Sequence, residues 1–305
     1  METFVLNTLH MVVALTLPPL LLGVIGKTKA LFAGRVGPPL LQPYWDLIKL
    51  FQKGSVFSTT TTWVFKAGPV VALVTGVLAL LLVPLGNAHG PVSFTGDLIL
   101  LAYLFGLSRF FTASAAMDTG SPFEGMGAAR EVTYACLAEP AFFLGLLVLA
   151  KLSGSLDLAG MLGSHVADNW PKQGASLALV VLSWFIVLLV ENCRVPFDDP
   201  NTHLELTMIH EVMVLDHSGP AFGMILYGAA LKLFAFAALI VHLAVPLATG
   251  NPFLDWPVFI TGTLAVAVVI GVVESTMARL PLPYIPILLA AACLLSAFGI
   301  ILLVR

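Results

Sequence analysis

The chain has 305 residues, of which 59% are hydrophobic and only 10% charged, and its formal net charge is −3. Soluble globular proteins have about 25% charged residues, so this composition excludes an ordinary soluble domain, and without a basic stripe we expect no nucleic-acid partner. The apolar runs are continuous rather than alternating, which favours membrane-spanning α-helices over a β-barrel. We therefore predict an all-α polytopic membrane protein, with residues 1–305 forming a single integral membrane domain.

Eight apolar segments are long enough to span a bilayer, which takes about 20 residues. The first has Glu2 in place of a basic N-terminal region and no small-residue cleavage site, so it is predicted to be a retained span. An amphipathic loop helix is predicted between the first two spans. The predicted spans cover about residues 4–25, 65–86, 97–116, 131–152, 175–191, 222–247, 256–277 and 283–304.

Lysine and arginine are concentrated in the loops on one side of the predicted spans. The loop after the first span carries five of them, and Arg130, Arg194 and Arg279 follow on the same side. By the positive-inside rule these loops face the cytoplasm and both termini lie outside. No internal repeat is evident, which argues against the transporters that are built from inverted repeats.

One segment of the chain concentrates ionisable groups. Residues 190–219, VENCRVPFDDPNTHLELTMIHEVMVLDHSG, hold six of the 17 acidic residues and three of the 7 histidines. Two prolines end the fifth span near Arg194, and a helix is predicted to follow from about residue 201. On this helix Glu205 lies in the middle of the apolar face, whereas Glu211 lies on a polar stripe. A buried carboxylate must be paired or protonated, so Glu205 is either a satisfied structural group or a proton carrier.

The sequence shows no recognisable metal or cofactor motif. His203 and His210 are seven residues apart, about 10 Å along a helix, which is too far to share one ion easily. Cys136, Cys193 and Cys293 form no CxxC pair, and an iron–sulfur cluster needs about four thiolates. Nucleophile elbows, phosphate loops and dinucleotide fingerprints do not occur either. We therefore expect this chain to hold no metal, redox cofactor or catalytic centre of its own.

Three charged residues lie within or beside predicted spans in positions that suggest proton transfer. Glu139 lies nine residues past Arg130, roughly 13 Å deeper along a helix, and Glu131 shares its face within about 80°. The two carboxylates are interpreted as steps of a proton path, although the helix dipole alone would also favour Glu131 at a helix start. Lys232 lies about ten residues into the sixth span, which implies a partner acid or a wet cavity.

The remaining charges near the inner ends of the spans suit interfacial ion pairs. Glu191 closes the fifth span, and Glu274 lies near the inner end of the seventh span, opposite Arg279. Arg109 in the third span is likewise expected near the cytoplasmic surface.

Several short motifs occur in a recognisable order along the chain. ENCRVPFD at 191–198 is similar to an E-x-x-R-x-P-F-D motif, and GRVGP at 34–38 with QPYWDLIKLFQK at 42–53 is similar to an R-x-G-P signature followed by an amphipathic segment. Both motifs resemble those of the subunit 1 (NuoH-type) family of respiratory complex I. DTGSPFEGMGAARE at 118–131, with the later LELTMIHE and DHSG, more closely resembles one branch, the membrane subunits of energy-converting NiFe hydrogenases of the formate hydrogenlyase type.

The resemblance covers essentially the whole chain and implies a role in a larger complex. In that role the chain anchors hydrogenase large and small subunits, which carry iron–sulfur clusters and a NiFe centre. It couples their redox reaction to ion movement through antiporter-like membrane subunits, within the lipid of a bacterial cytoplasmic membrane. Two departures from complex I disfavour quinone: Asn201 and His203 interrupt an acid-rich run, and Lys232 occurs where a carboxylate is usual near Ala229.

The matched motifs and the charge pattern together assign two sets of candidate residues. The candidate proton pathway comprises Glu131, Glu139, Glu191, Asp198, Glu205, Glu211, Lys232 and Glu274. The candidate docking residues for the peripheral arm comprise Arg35, Asp46, Lys49, Arg130, Arg194, Asp216 and His217.

Three other interpretations remain open from the sequence. A quinone-site subunit of a NADH-quinone oxidoreductase would need a quinone chamber beneath the first and third cytoplasmic loops. A stand-alone ion transporter would act without partners, and a passive anchor would retain its acids for stability alone. The residue pattern also leaves open the electron donor and the choice between H⁺ and Na⁺.

Overall fold

The computed structural model describes residues 2–86, 89–198, 208–245 and 252–304. Within these ranges the chain is helical and contains no β-strand, which confirms the all-α prediction. A 3₁₀ turn at Leu282–Tyr284 precedes the last α-helix. In chain order the α-helices are α1 Glu2–Phe32, α2 Gln42–Phe51, α3 Trp63–Leu82, α4 Asp97–Asp118, α5 Pro122–Ser153, α6 Leu158–Leu162, α7 Ser164–Glu191, α8 His210–Met213, α9 Gly219–Ala244, α10 Pro252–Thr276 and α11 Ile285–Val304.

Among the described residues, eight helices are long and apolar enough to cross a membrane, which confirms the predicted number of spans. The largest change of boundary is in α7, which begins at Ser164 instead of about residue 175. This helix continues across a kink at Gln173, where φ is −126°, two residues after Pro171. A proline inside a helix removes one backbone hydrogen bond and bends the axis without always ending the helix. The polar residues around Gln173 therefore lie at a bend within α7, and the fifth span does not begin there.

The amphipathic helix predicted between the first two spans is α2. Its large apolar side chains face outward, since Trp45 is 62%, Ile48 49% and Phe51 46% exposed. Exposed apolar side chains on one side of a short helix are typical of a helix that lies in the membrane interface. The hydroxyl of Tyr44 donates a hydrogen bond to the carbonyl of Thr16, which holds α2 against α1.

The helix predicted from about residue 201 is described only in part. Residues 199–207, which include His203 and the candidate Glu205, lie outside the described residues. The described remainder begins at Met208 and contains the single helical turn α8.

The helix α9 lies at the centre of the bundle, packed against α1, α2, α3, α7 and α10. Every residue from Leu233 to Leu243 is buried. A glycine permits the close approach to α3, because a Cβ at Gly228 would lie 3.0 Å from the carbonyl oxygen of Ala72. Close packing through small residues is typical of helices inside a membrane. This central position places Lys232 between neighbouring helices.

Candidate functional site

One charged side chain from each of four spans meets inside the bundle. Arg109 of α4 donates hydrogen bonds to Glu139 of α5 at 2.6 Å and to Glu191 of α7 at 2.8 Å. Lys232 of α9 lies 2.7 Å from the second carboxylate oxygen of Glu191. We call these four residues the charged cluster.

The charged cluster runs from an enclosed carboxylate to an exposed one. The side chain of Glu191 is 4% exposed, whereas that of Glu139 is 47% exposed. A buried carboxylate is tolerated only when it is paired and hydrogen-bonded. Glu191 meets this condition through two cations, and it supplies the partner acid that was one of the two expectations for Lys232. The side chain of Arg109 is 10% exposed, so it lies enclosed between helices.

The charged cluster also separates two spaces in the bundle. On one side is a pocket of ≈ 70 Å³, which has room for several water molecules. On the other side is a mainly apolar cleft of ≈ 420 Å³ between α4, α5, α7 and α9, which contains Glu139. Arg109 and Glu191 line both spaces and form the boundary between them. The charged or metal-binding side chains that line the pocket are Arg109, Glu131, Glu191, Cys193, His210 and Lys232.

A second group of charges joins the loops at the end of the bundle where α7 and α10 finish. Asp198 pairs with Arg279 at 3.0 Å, and its other oxygen accepts the backbone N–H groups of Ile209 and His210. This carboxylate therefore fixes the start of α8.

The partner of Glu274 differs from the sequence expectation. Its carboxylate lies 2.9 Å from Lys29 and 3.3 Å from Arg194. The loop after α10 runs beside the ENCRVPFD segment, because the N–H of Leu280 donates to the carbonyl of Pro196 at 2.8 Å. That hydrogen bond places Arg279 next to Asp198 instead of Glu274.

Six of the seven candidate docking residues fall into two groups by exposure. Arg130 and Arg194 are half-buried and make contacts within the chain, the former donating to the carbonyl of Met208 at 3.0 Å. Arg194 pairs with Glu274 as described above. The exposed members are Arg35, Asp46, Lys49 and Asp216.

Three pocket residues come together that the sequence did not associate. The thiol of Cys193 donates to Glu131 at 3.4 Å, and His210 completes a group whose possible ligand atoms all lie within 4.8 Å of one another. Burial raises the pKa of the Cys193 thiol well above its ordinary value, so the thiol keeps its proton. The remaining acid of the predicted pathway, Glu211, is half-buried in α8.

Eight apolar spans that enclose paired ionisable residues define a polytopic membrane protein with a charged interior. A model of the NADH dehydrogenase family matches residues 5–304, and the chain belongs to this family. This confirms the resemblance drawn from the motifs.

Similar proteins fall in both branches that the motifs indicated. Formate hydrogenlyase subunit 4 of Escherichia coli K12 is 32% identical over 275 residues, which covers 88% of each chain. Hydrogenase-4 component C of the same organism is 32% identical over 274 residues, 88% of this chain and 85% of its own. A subunit of the NADH-quinone oxidoreductase of Rubrobacter xylanophilus is 30% identical over 236 residues, 74% of this chain and 68% of its own. The formate hydrogenlyase and hydrogenase-4 subunits therefore align with more of this chain than the NADH-quinone oxidoreductase subunit does.

A solved structure shares the fold along the whole chain. One chain of the membrane-bound sulfane sulfur reductase, an archaeal respiratory membrane complex, aligns with a TM-score of 0.81 at 23% identity. The alignment covers 99% of both chains. The eight-span arrangement is thus also found in a protein of low sequence identity.

His217 is placed differently from the exposed docking residues. Its ring is 8% exposed and stacks on Phe65 of α3, with the ring centroids 3.9 Å apart. Burial lowers the pKa of His217 to about 4. The ring is therefore neutral in the folded protein near neutral pH.

We expect His217 to make stability depend on pH. Its pKa in the folded chain lies below the unfolded value of about 6.5, so its contribution is complete above that pH and is lost as the pH falls towards 4, by about 1.4 kcal/mol per pH unit. The His217→Phe variant keeps the stacking and should lose this part of the pH dependence, measured as thermal unfolding of the chain in detergent. His165→Phe, at an exposed histidine, should behave like the parent. Equal pH slopes for the parent and His217→Phe would contradict the assignment.

Proposed function

We propose that this chain is the membrane-anchoring and coupling subunit of an energy-converting NiFe hydrogenase-type complex in a bacterial cytoplasmic membrane. The observation that carries the proposal is the charged cluster, in which four spans place two carboxylates and two cations in contact between a polar pocket and a lateral cleft. Ionisable residues enclosed within membrane spans typically mark ion pathways. The similarity to subunits named for formate hydrogenlyase and hydrogenase-4 supports the hydrogenase branch.

The peripheral arm with its iron–sulfur clusters and NiFe centre docks on the basic side of the bundle. Exposed Arg35, Asp46, Lys49 and Asp216 lie on this side, together with the interfacial helix α2. By the positive-inside rule this side faces the cytoplasm. The half-buried Arg130 and Arg194 shape the loops beneath the docking surface.

Proton transfer passes along the pocket and through the charged cluster. A proton enters the pocket near Glu131 and moves through waters towards Glu191, since such transfer needs groups within hydrogen-bond reach or one water apart. Arg109 bridges Glu191 to Glu139, so a change of charge at one carboxylate is felt by the other. A redox change in the docked arm would shift these proton affinities and bias the transfer.

An antiporter-like membrane subunit covers the lateral cleft. A carboxylate such as Glu139, half exposed at the depth of a span, is costly against hydrocarbon. A neighbouring subunit with polar groups or ordered water at this position removes that cost and takes up the proton path.

Purification of the complex tests the anchoring role. The tagged chain, extracted gently from its native membrane, should carry nickel, iron and cluster-bearing partners in fixed ratio to itself. The double variant Arg35→Glu/Lys49→Glu should lower the nickel recovered per chain at least twofold, because it reverses two exposed docking charges. Lys151 is an exposed lysine at the end of α5 that is opposite to Arg130, so Lys151→Glu should leave the recovery of nickel unchanged. A chain isolated with neither metal would contradict the proposal, and iron with quinone but no nickel would favour the quinone-site alternative.

Neutralising Glu139 tests the coupling role. Glu139→Gln keeps a hydrogen-bond acceptor for Arg109 but cannot release a proton, so protons translocated per electron in sealed vesicles should fall at least tenfold. Hydrogenase activity with a soluble electron donor should stay within about twofold of the parent. Asp168→Asn, which neutralises an exposed acid in α7 far from Glu191 along the helix, provides the control. Unchanged translocation in Glu139→Gln would rule out the route through this carboxylate.

A further inference from the structure

The group formed by Glu131, Cys193 and His210 is the strongest unassigned feature of the pocket. Glu131 belongs to α5, Cys193 follows the end of α7, and His210 begins α8. Their possible ligand atoms all lie within 4.8 Å of one another. We propose that these three side chains bind one Zn²⁺-like ion at the wall of the pocket. Binding of the ion to these side chains does not require that protons pass through the pocket.

The donor atoms suit a thiophilic divalent ion. Sulfur, imidazole nitrogen and carboxylate oxygen are the ligands that zinc takes in proteins, at about 2.3, 2.0 and 2.1 Å. Tetrahedral geometry at these lengths puts neighbouring ligand atoms roughly 3.5 Å apart. The Cys193 sulfur and a Glu131 oxygen already lie 3.4 Å apart, so only the His210 ring has to approach. Three protein ligands leave a fourth position for water from the pocket.

The charges of the pocket and of the adjoining charged cluster together balance a divalent ion. Glu131, Glu139 and Glu191 contribute three negative charges, and Arg109 and Lys232 contribute two positive ones that are already paired with Glu139 and Glu191. On binding, the Cys193 thiol gives its proton to water and becomes a thiolate, because the thiolate is the form that ligates metal. With Cys193 as a thiolate the charge of this group is −2, and the dication neutralises it.

The backbone holds two of the three residues, Cys193 and His210, in place without help from an ion. Cys193 adopts a left-handed conformation with φ 48°, which is uncommon for a residue with a side chain, and its N–H bonds to the carbonyl of Val190. The N–H of His210 donates to the buried carboxylate of Asp198 at 3.1 Å. Two of the ligands are thus positioned by fixed turns on either side of the undescribed 199–207 segment.

Cobalt binding to the full-length chain in detergent provides the test. After removal of metals with a chelator, Co²⁺ should bind at one ion per chain and show thiolate-to-cobalt charge-transfer absorption, and Zn²⁺ should displace it. Cys193→Ser should lose that absorption. His210→Ala and Glu131→Gln should each weaken Co²⁺ binding at least tenfold. Cys136→Ser changes an exposed cysteine outside the pocket and should bind as the parent does.

The following results would overturn the proposed metal site. The inference fails if the parent shows no thiolate absorption, or if the absorption persists in Cys193→Ser. Where Cys193→Ser does not elute as a folded chain, Glu131→Gln decides, since it leaves the thiol intact. Unaltered Co²⁺ affinity in that variant removes Glu131 from the ligand set and overturns the proposal.

Discussion

The buried carboxylate of Glu191 is the constraint on which the arrangement of the spans depends. Taking an ionised carboxylate out of water costs several kcal/mol unless partners compensate. Arg109 and Lys232 supply that compensation from α4 and α9, and Arg109 extends the contact to α5. The four helices must therefore meet at one depth and in one rotation. Apolar contact alone, which is similar between helices and lipid tails, would not specify that register.

The same pairing gives the interior two different environments. The Arg109–Glu191 contact stands between a small polar pocket and a larger apolar cleft. A carboxylate with two cationic neighbours responds to any change of charge on either side of it, because Coulomb interactions are strong where water is scarce. Loop charges around Asp198 and Glu274 are linked by short ion pairs at the pocket end of the bundle. Structural pairing and proton coupling can thus use the same residues.

The large-scale fold could be predicted from the sequence, because each span is a local property of a continuous apolar run. The eight spans, the interfacial helix and the need for an acid or a wet cavity beside Lys232 all follow from local pattern and burial cost. The identity of that acid did not follow, since Glu191 is distant in sequence and brought close only by the packing of α7 on α9. The enclosure of Arg109 did not follow either, because the sequence does not show which face of α4 is enclosed.

Loop geometry was the least predictable part of the candidate site. The pairing of Arg279 with Asp198 instead of Glu274 accompanies a backbone hydrogen bond from Leu280 to Pro196, which no residue pattern reveals. The meeting of Glu131, Cys193 and His210 joins three separate elements and has no characteristic spacing. His217 stands in a polar stretch of sequence, yet its ring is enclosed by stacking on Phe65.

A double-mutant cycle on Glu191 and Lys232 tests most directly the central claim, that the buried carboxylate of Glu191 depends on its cationic partners. Denaturant or thermal unfolding in detergent would be compared for Glu191→Gln, Lys232→Met and the two combined, because removing one partner of a buried pair leaves the other charge uncompensated. The account predicts that each single change costs about 3–5 kcal/mol and that the double variant costs at least about 1 kcal/mol less than their sum. As a control, the costs of Lys232→Met and the exposed Asp168→Asn should simply add. Additive costs for Glu191→Gln and Lys232→Met would show that Glu191 and Lys232 are not coupled and would contradict the account.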